Sequence, residues 1–414
     1  MGSFKPQSET TKTCLASGAS SRNVTVRSAL TSGDISSGWA AAAATHSVES
    51  SRVLIDERLC QSRGYNPRQV RTLTRRSLLL SLPAVATAAE PTAFPGAAWQ
   101  TRPPAALGLD AAKLDALAAL LGGRGCVVKD GYVAAAWGDQ TEVADILSSA
   151  KPILSTLLFF AIQEGKVAGP DALVADFGWE LRPKDRSMTF RHLGAMTSGY
   201  ARPEPPGVAW AYNDYAIQLY QKTLFDRVFQ QEPAAVAHAP ERLGALGLQD
   251  GLVFRETNRR IGASARDFAR IVWLWANRGA WNSRQLLQRR FFDELMRPQT
   301  PPDLPASAEA GNDDYLGIGT FGGGSKHFTE YGAGCYGFNW WFNRTGRLHP
   351  QARLWPDAPE ELVVSIGARG NNTAFWESRR MLLVGLGGAW GSLAGGDRDA
   401  PMNRALALFA QAAG

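Results

Sequence analysis

Ser148 and Lys151 stand three residues apart in Ser148-Ser149-Ala150-Lys151, at the head of a strongly apolar stretch. Residues i and i+3 share a helix face, so this spacing brings an ammonium group to a hydroxyl. A serine hydroxyl is a weak nucleophile at neutral pH and needs an adjacent proton acceptor. Lysine can accept when burial or neighbouring cations lower its pKa, and a buried helix offers those surroundings. The start of a helix also presents unsatisfied N–H groups where an oxyanion develops. Pro152 agrees with that placement, since it lacks an N–H and is tolerated only in the first turn. The spacing would suit a serine nucleophile beside a lysine proton acceptor, and it equally suits a solvated serine and lysine at a helix start.

Those side chains need a rigid platform. Residues 149–165 read as a helix that is apolar nearly all round (Ile153, Leu154, Leu157, Leu158, Phe159, Phe160, Ile162), which implies a buried central helix. Leu109 to Leu121 also has helical spacing. Cys126 to Val133 reads as two strands joined at Asp130-Gly131, a pair that accepts the positive φ of a tight hairpin turn. Ser264 is placed to cap a further helix, with Asp267 at the capping-box position. Residues 305–335 read as a Gly-rich, mobile loop. Strands are expected over Gly337–Phe342, Leu362–Ile366 and Met381–Leu386, and a last helix over Met402–Ala412. A hairpin first, helices in the middle, then strands and a helix: the order predicts an α+β chain with an antiparallel sheet built from both termini of the mature part.

Three further segments carry a resemblance. They are Thr189-Phe190-Arg191-His192-Leu193-Gly194-Ala195-Met196-Thr197-Ser198-Gly199, Pro206-Gly207-Val208-Ala209-Trp210-Ala211-Tyr212-Asn213-Asp214, and Ile261-Gly262-Ala263-Ser264-Ala265-Arg266-Asp267. With Ser148 and Lys151, and in this order, they resemble the serine beta-lactamase and penicillin-binding-protein-like superfamily. The nearest branch contains class C beta-lactamases, family VIII carboxylesterases and 6-aminohexanoate-oligomer hydrolase. The resemblance runs over residues 108–390 and implies a beta-lactamase/transpeptidase-like fold. It implies Ser148 as the acylated nucleophile, Lys151 as its proton acceptor and Tyr212 as a second acid/base. A tyrosine can do this if cations depress its pKa, and Lys151 is the expected cation.

The third family element is matched by Ser365-Ile366-Gly367-Ala368-Arg369-Gly370-Asn371-Asn372. By the resemblance Gly370 admits substrate to the strand, and the Asn371 and Ser148 N–H groups form the oxyanion hole. Two departures bear on activity. Asp214 stands where the family has an asparagine that binds an amide carbonyl. Ala368-Arg369-Gly370 stands where it has Lys-Thr-Gly, although Arg369 can still clamp a carboxylate. Ester or simple amide hydrolysis is expected, and true beta-lactamase activity is not. A catalytically silent protein that holds cell-wall peptides or another ligand in the same cleft is the alternative. A Ser-His-Asp hydrolase is the weaker rival: there is no G-x-S-x-G elbow, and His192, His238, His327 and His349 lack triad context.

The chain has 414 residues and a formal charge of +6. Residues 1–88 hold 11 Lys and Arg against 5 Asp and Glu, so the excess belongs to the leader and the rest is neutral. No nucleic-acid partner is expected. Residues 1–69 read as disorder, or as an extension upstream of a translation start near Val70. Residues 70–88 read as a twin-arginine signal peptide: Thr74-Arg75-Arg76-Ser77, the apolar run Leu78–Leu82, then Ala86-Thr87-Ala88. The mature protein is thus expected in the periplasm or outside the cell, with a Pro- and Ala-rich linker over 89–107, the hydrolase domain over 108–414 and no stable membrane span. Cys14 and Cys60 fall in the leader. Cys126 and Cys335 are open to pairing, though two lone cysteines are more often buried apolar residues. No Cys/His cluster points to a metal, and no cofactor is expected. The partner expected is a small-molecule or peptide ester or amide; the sequence assigns no oligomeric state.

Overall fold

Asp130 and Gly131 both take positive φ, 55° and 90°, and fold the chain into the hairpin that starts the sheet. A computed structural model describes residues 92–255, 260–308, 313–320, 331–391, 393 and 395–414. The leader, with its twin-arginine segment, Cys14 and Cys60, lies outside the described residues, as does His327.

The strands in chain order are β1 (Arg124–Lys129), β2 (Tyr132–Trp137), β3 (Ala144–Asp145), β4 (Val253–Phe254), β5 (Ile261–Ala263), β6 (Ala280–Trp281), β7 (Arg284–Gln285), β8 (Tyr336–Gly337), β9 (Trp340–Phe342), β10 (Val363–Gly367), β11 (Asn371–Trp376) and β12 (Met381–Leu386). The helices are α1 (Ala111–Leu121), α2 (Lys151–Gln163), α3 (Phe190–Gly194), α4 (Asp214–Lys222), α5 (Pro233–His238), α6 (Ala265–Ala276), α7 (Arg289–Leu295) and α8 (Pro401–Gln411). One sheet has the order β2-β1-β12-β11-β10-β9-β8, with every neighbouring pair antiparallel. The first and last strands of the chain therefore meet, β1 on β12, as the expected α+β arrangement requires. Helix α6 packs on β1, β11 and β12, and α1 packs on α8.

The central helix explains how a lysine comes to be buried. All residues of α2 from Lys151 to Ile162 are buried, among them Leu154, Leu157, Phe159 and Phe160. Turning the helix to expose Lys151 would bring such side chains out, each at about 1.5–3 kcal/mol. The ammonium therefore stays inside. A 3-10 turn over Leu147–Ala150 precedes α2 and rests on β10 and β11, so Ser148 belongs to this turn rather than to the helix proper.

Several expectations change in detail. Residues 92–107 of the expected linker are fastened to the domain. Thr101 bridges Val133, Trp99 Nε1 donates to the Arg266 carbonyl at 2.9 Å, and Phe94 sits edge-on to Trp281. Two aromatic anchors in a Pro- and Ala-rich stretch outweigh its composition. Ser264 does cap α6, accepting from Asp267 N–H, but Asp267 does not complete a capping box. Its carboxylate instead accepts the N–H groups of Gln249, Asp250 and Gly251 at 2.7–2.8 Å. The strand expected over 337–342 is two short strands turned at Phe338-Asn339, both with positive φ. Within the loop expected to be mobile, Ser307 and Ala308 are tied to the Glu204 carboxylate. Cys126 and Cys335 are both free and buried, and burial pushes each thiol up to about 12.

Candidate active site

Ser148 owes its position to a strained residue before it. Leu147 has φ +53°, a left-handed conformation that a branched side chain rarely adopts. The turn is held by Asp145: its Oδ1 accepts the Leu147 N–H at 2.8 Å, while Arg260 Nη1 donates to its Oδ2 at 3.0 Å. Pairing of β3 with β5 brings the two residues together. The first bond of the nucleophile turn runs from Ser149 N–H to the Ile146 carbonyl, which leaves the Ser148 N–H ahead of it. Ser149, buried, meets Ser365 on β10 through its hydroxyl, and Ser365 meets Thr373 at 2.7 Å. This chain of hydroxyls ties the turn to the sheet.

Lys151 Nζ donates to Ser148 Oγ at 2.7 Å and lies 3.1 Å from Asp214 Oδ1. It also lies 4.8 Å from the centre of the Tyr212 ring. The structure thus brings together Ser148, Lys151, Tyr212 and Asp214. The electrostatics run opposite to expectation. Burial works to lower the Lys151 pKa, but Asp214 and then Tyr212 outweigh it and hold the ammonium well above the usual lysine range. Burial likewise raises Tyr212; the neighbouring Lys151 cation offsets only part of that. Neither group is poised near neutrality by itself.

Asp214 lines the cleft with its Oδ1 held 3.1 Å from Lys151 Nζ. Asn213 caps α4, accepting from the Tyr215 and Ala216 N–H groups, and its amide donates to the Tyr200 carbonyl at 2.6 Å. Asp214 is then the first helical residue, where a carboxylate is favoured by the helix dipole, and it faces Lys151. The Tyr212 ring lies parallel to Trp341 and edge-on to Tyr336, so aromatic packing fixes where its hydroxyl points. Lys151 and Ser148 both act on that hydroxyl to favour its ionised form, without overcoming burial.

On the strand side, Gly367 and Gly370 both line the cleft, and Gly367 lies against the Ser149 turn. A Cβ on Gly367 would come within 2.8 Å of Ser149 N and 2.7 Å of the Ile146 carbonyl oxygen, so only glycine lets β10 approach the nucleophile turn. A Cβ on Gly370 would strike the Gly388 carbonyl at 1.8 Å. Asn371 is absorbed by the β10–β11 turn. Its N–H and its side-chain amide both donate to the Ala368 carbonyl, and its Oδ1 accepts the Gly387 N–H at 3.1 Å. The Ala368 N–H follows Gly367 directly and, among the described residues, donates to no protein acceptor. Arg369, at φ +57°, is exposed in the same turn and has no ion pair among the described residues.

These groups line a cleft of about 1060 Å³. Arg255 and Arg260 line it as well, so its cations (Lys151, Arg255, Arg260, Arg369) outnumber its anions (Asp145, Asp214). Sequence reasoning passed over Asp145, Arg255, Arg260 and the role of Gly367. Asp145, two residues before a strained turn, carried a signal in the habit of aspartate to accept its own backbone N–H two residues on. His192 is structural, as expected: its Nδ1 accepts the Thr189 N–H in a reciprocal cap of α3. Among the described residues no group of three His, Cys, Asp or Glu could hold a metal ion. No helix among them is long and apolar enough to cross a membrane.

No family model and no curated protein matches the sequence. Solved structures are similar to it at low identity. A beta-lactamase/D-alanine carboxypeptidase from Yersinia pestis complexed with citrate is 14% identical, with 73% of this chain and 98% of that one covered and a TM-score of 0.47. A penicillin-binding-protein homologue from Caulobacter crescentus is 13% identical, with 76% and 98% covered and a TM-score of 0.48. EstCE1, a hydrolase with promiscuous acyltransferase activity, is 12% identical, with 75% and 99% covered and a TM-score of 0.49.

Proposed function

We propose that the chain is an exported serine hydrolase that cleaves an ester or simple amide bond through an acyl-enzyme on Ser148. The observation that carries this is the 2.7 Å bond from Lys151 Nζ to Ser148 Oγ at the wall of an open cleft. Ser148 Oγ, half-buried, is in direct contact with a group that can exchange protons and has Tyr212 nearby, although the Lys151 ammonium must pass a proton on before it can accept one. Ser148 Oγ attacks the substrate carbonyl, and Lys151 with Tyr212 handles the protons. The oxyanion is received by the Ser148 and Ala368 N–H groups, the second replacing the Asn371 N–H expected from sequence. Water then attacks the acyl-enzyme and releases the acid. The hydrolases among the similar structures accord with this reading.

Lactam hydrolysis is not part of the proposal, because Asp214 is engaged with Lys151 and offers no amide to a substrate carbonyl. Export rests on the twin-arginine segment and the Ala86-Thr87-Ala88 site. N-terminal sequencing of protein from the periplasm is expected to begin near Glu90; an intact leader in a cytoplasmic fraction refutes it.

A fluorophosphonate probe with intact-mass readout tests the chemistry. One covalent adduct is expected, mapped to the peptide containing Ser148 and lost in Ser148→Ala. A chain that takes up no adduct and turns over no nitrophenyl ester, yet binds cell-wall peptides, is a binding protein instead.

A further inference from the structure

We propose that Asp214 stores the proton that Ser148 gives up, receiving it through Lys151, so that the three residues act as one relay. The inference rests on the serine hydrolase reading above. Lys151 Nζ bridges the two oxygens, 2.7 Å from Ser148 Oγ and 3.1 Å from Asp214 Oδ1, and lies 4.8 Å from the centre of the Tyr212 ring. An ammonium has no lone pair. It can take a proton from Ser148 only by releasing another in the same event. Of the three oxygens around it, one is the proton donor and one is a buried phenol. The third is the Asp214 carboxylate, the anion of the set.

The step balances without any other reactant. The Ser148 hydroxyl proton moves to Lys151 Nζ while a different Nζ proton moves to Asp214 Oδ1. The Oγ electron pair forms the bond to the acyl carbon, and the carbonyl π pair passes to its oxygen. When the tetrahedral species collapses, the bond to the leaving group breaks and that group takes the proton back along the reverse path. Lys151 is an ammonium at the beginning and at the end; Asp214 is neutral in between. Asp214 touches the nucleophile through Lys151 alone and is therefore a positioning residue. Other groups contribute to the field it feels. Tyr336 on β8 feels the Asp214 charge, Tyr212 packs edge-on to Tyr336, and Asp145, Arg255, Arg260 and Arg369 line the same cleft.

Two mechanisms now predict opposite signs for one substitution. If neutral Lys151 were the base, Asp214→Asn would remove the charge that keeps it protonated and would speed acylation at neutral pH. In the relay, Asp214→Asn removes the proton store, and acylation becomes dependent on deprotonating Lys151. The rate of phosphonate adduct formation, followed by intact mass from pH 6 to 10, separates them. The expected result is a loss of about 10- to 100-fold at neutral pH, recovering as the pH rises, with Asp214→Glu restoring part of the rate. An Asp214→Asn variant as fast as the parent at neutral pH, or faster, overturns the relay. A proton inventory on the unmodified protein needs no variant: two protons in flight bow the plot of rate against deuterium fraction, and a straight line overturns the proposal. Failure of the parent to form any adduct defeats the hydrolase reading instead.

Discussion

Gly367 on β10 faces Ser149 so closely that a Cβ on the glycine would sit 2.8 Å from the Ser149 nitrogen. That contact sets the distance between the strand edge and the nucleophile turn, and with it the separation of the Ser148 and Ala368 N–H groups. Gly367→Ala is expected to push β10 back by a few tenths of an ångström. An oxyanion donor moved off its position costs about 100-fold or more in rate. Adduct formation should therefore collapse while the melting temperature falls only modestly. Gly370→Ala is the contrasting variant, with a Cβ 1.8 Å from the Gly388 carbonyl and a φ of +69°. It should lose stability first, by about 1–3 kcal/mol. Thermal melts alongside labelling rates distinguish the two glycines.

Asp145 is expected to matter as much as its neighbours in the cleft, for a mechanical reason. Its carboxylate holds the Leu147 N–H and thereby keeps a strained residue in the left-handed region just before Ser148. Asp145→Ala frees Leu147 to relax towards negative φ, which swings Ser148 away from Lys151. Labelling should fall about tenfold or more, since small misplacements of a reacting atom carry large rate penalties. Leu147→Gly in the Asp145→Ala background should recover part of the rate, because glycine takes positive φ without strain. No recovery would show that Asp145 acts by charge and not by shaping the turn.

The contact between Ser148 and Lys151 was legible because it is local: three residues apart, across the junction of a 3-10 turn and a helix. The Asp130-Gly131 hairpin was legible for the same reason. The directions of the pKa shifts were not. They depend on Asp214 meeting Lys151 across more than sixty residues of chain, and no periodicity reports that contact. Composition misled at residues 92–107, where Phe94 and Trp99 anchor a stretch that proline and alanine made look like a linker. The strand segment was legible as a segment, but the close approach of Gly367 to the Ser149 turn was not. Which of two glycines meets Ser149 is settled by how β10 lies against the turn, and spacing within the segment carries no trace of it.

Alkaline pH should unfold the protein sharply. Burial raises the pKa of Tyr212 and Tyr336, and Asp214 with Tyr212 raises that of Lys151 against its own burial. Each group binds its proton more tightly folded than unfolded. The stability they contribute is fully present below the ordinary tyrosine value of about 10 and is lost as the pH climbs towards their folded values. Denaturant midpoints should thus be flat from pH 7 to 9 and fall steeply above about 10. Tyr212→Phe should make that fall shallower, since one group no longer titrates only on unfolding. On the acid side the sign reverses. Burial depresses His192 and His238, so their contribution is present above the ordinary histidine value and is lost as the pH drops through their folded values.

Arg369 should decide which substrates bind. It is exposed at the cleft wall with no ion pair among the described residues, whereas Lys151 and Arg260 are matched to Asp214 and Asp145. A free guanidinium on a turn can grip a carboxylate through two N–H groups. Among nitrophenyl esters of equal size, those with a terminal carboxylate should therefore show the lower KM. Arg369→Ala is expected to raise that KM about tenfold, the equivalent of ~1.4 kcal/mol, and to leave neutral esters unchanged. Because the interaction is solvent-exposed, added salt should narrow the gap between the two ester classes in the parent protein. Equal KM values for charged and neutral esters, before and after the substitution, would remove Arg369 from substrate recognition and leave the positive cleft to be explained by Arg255.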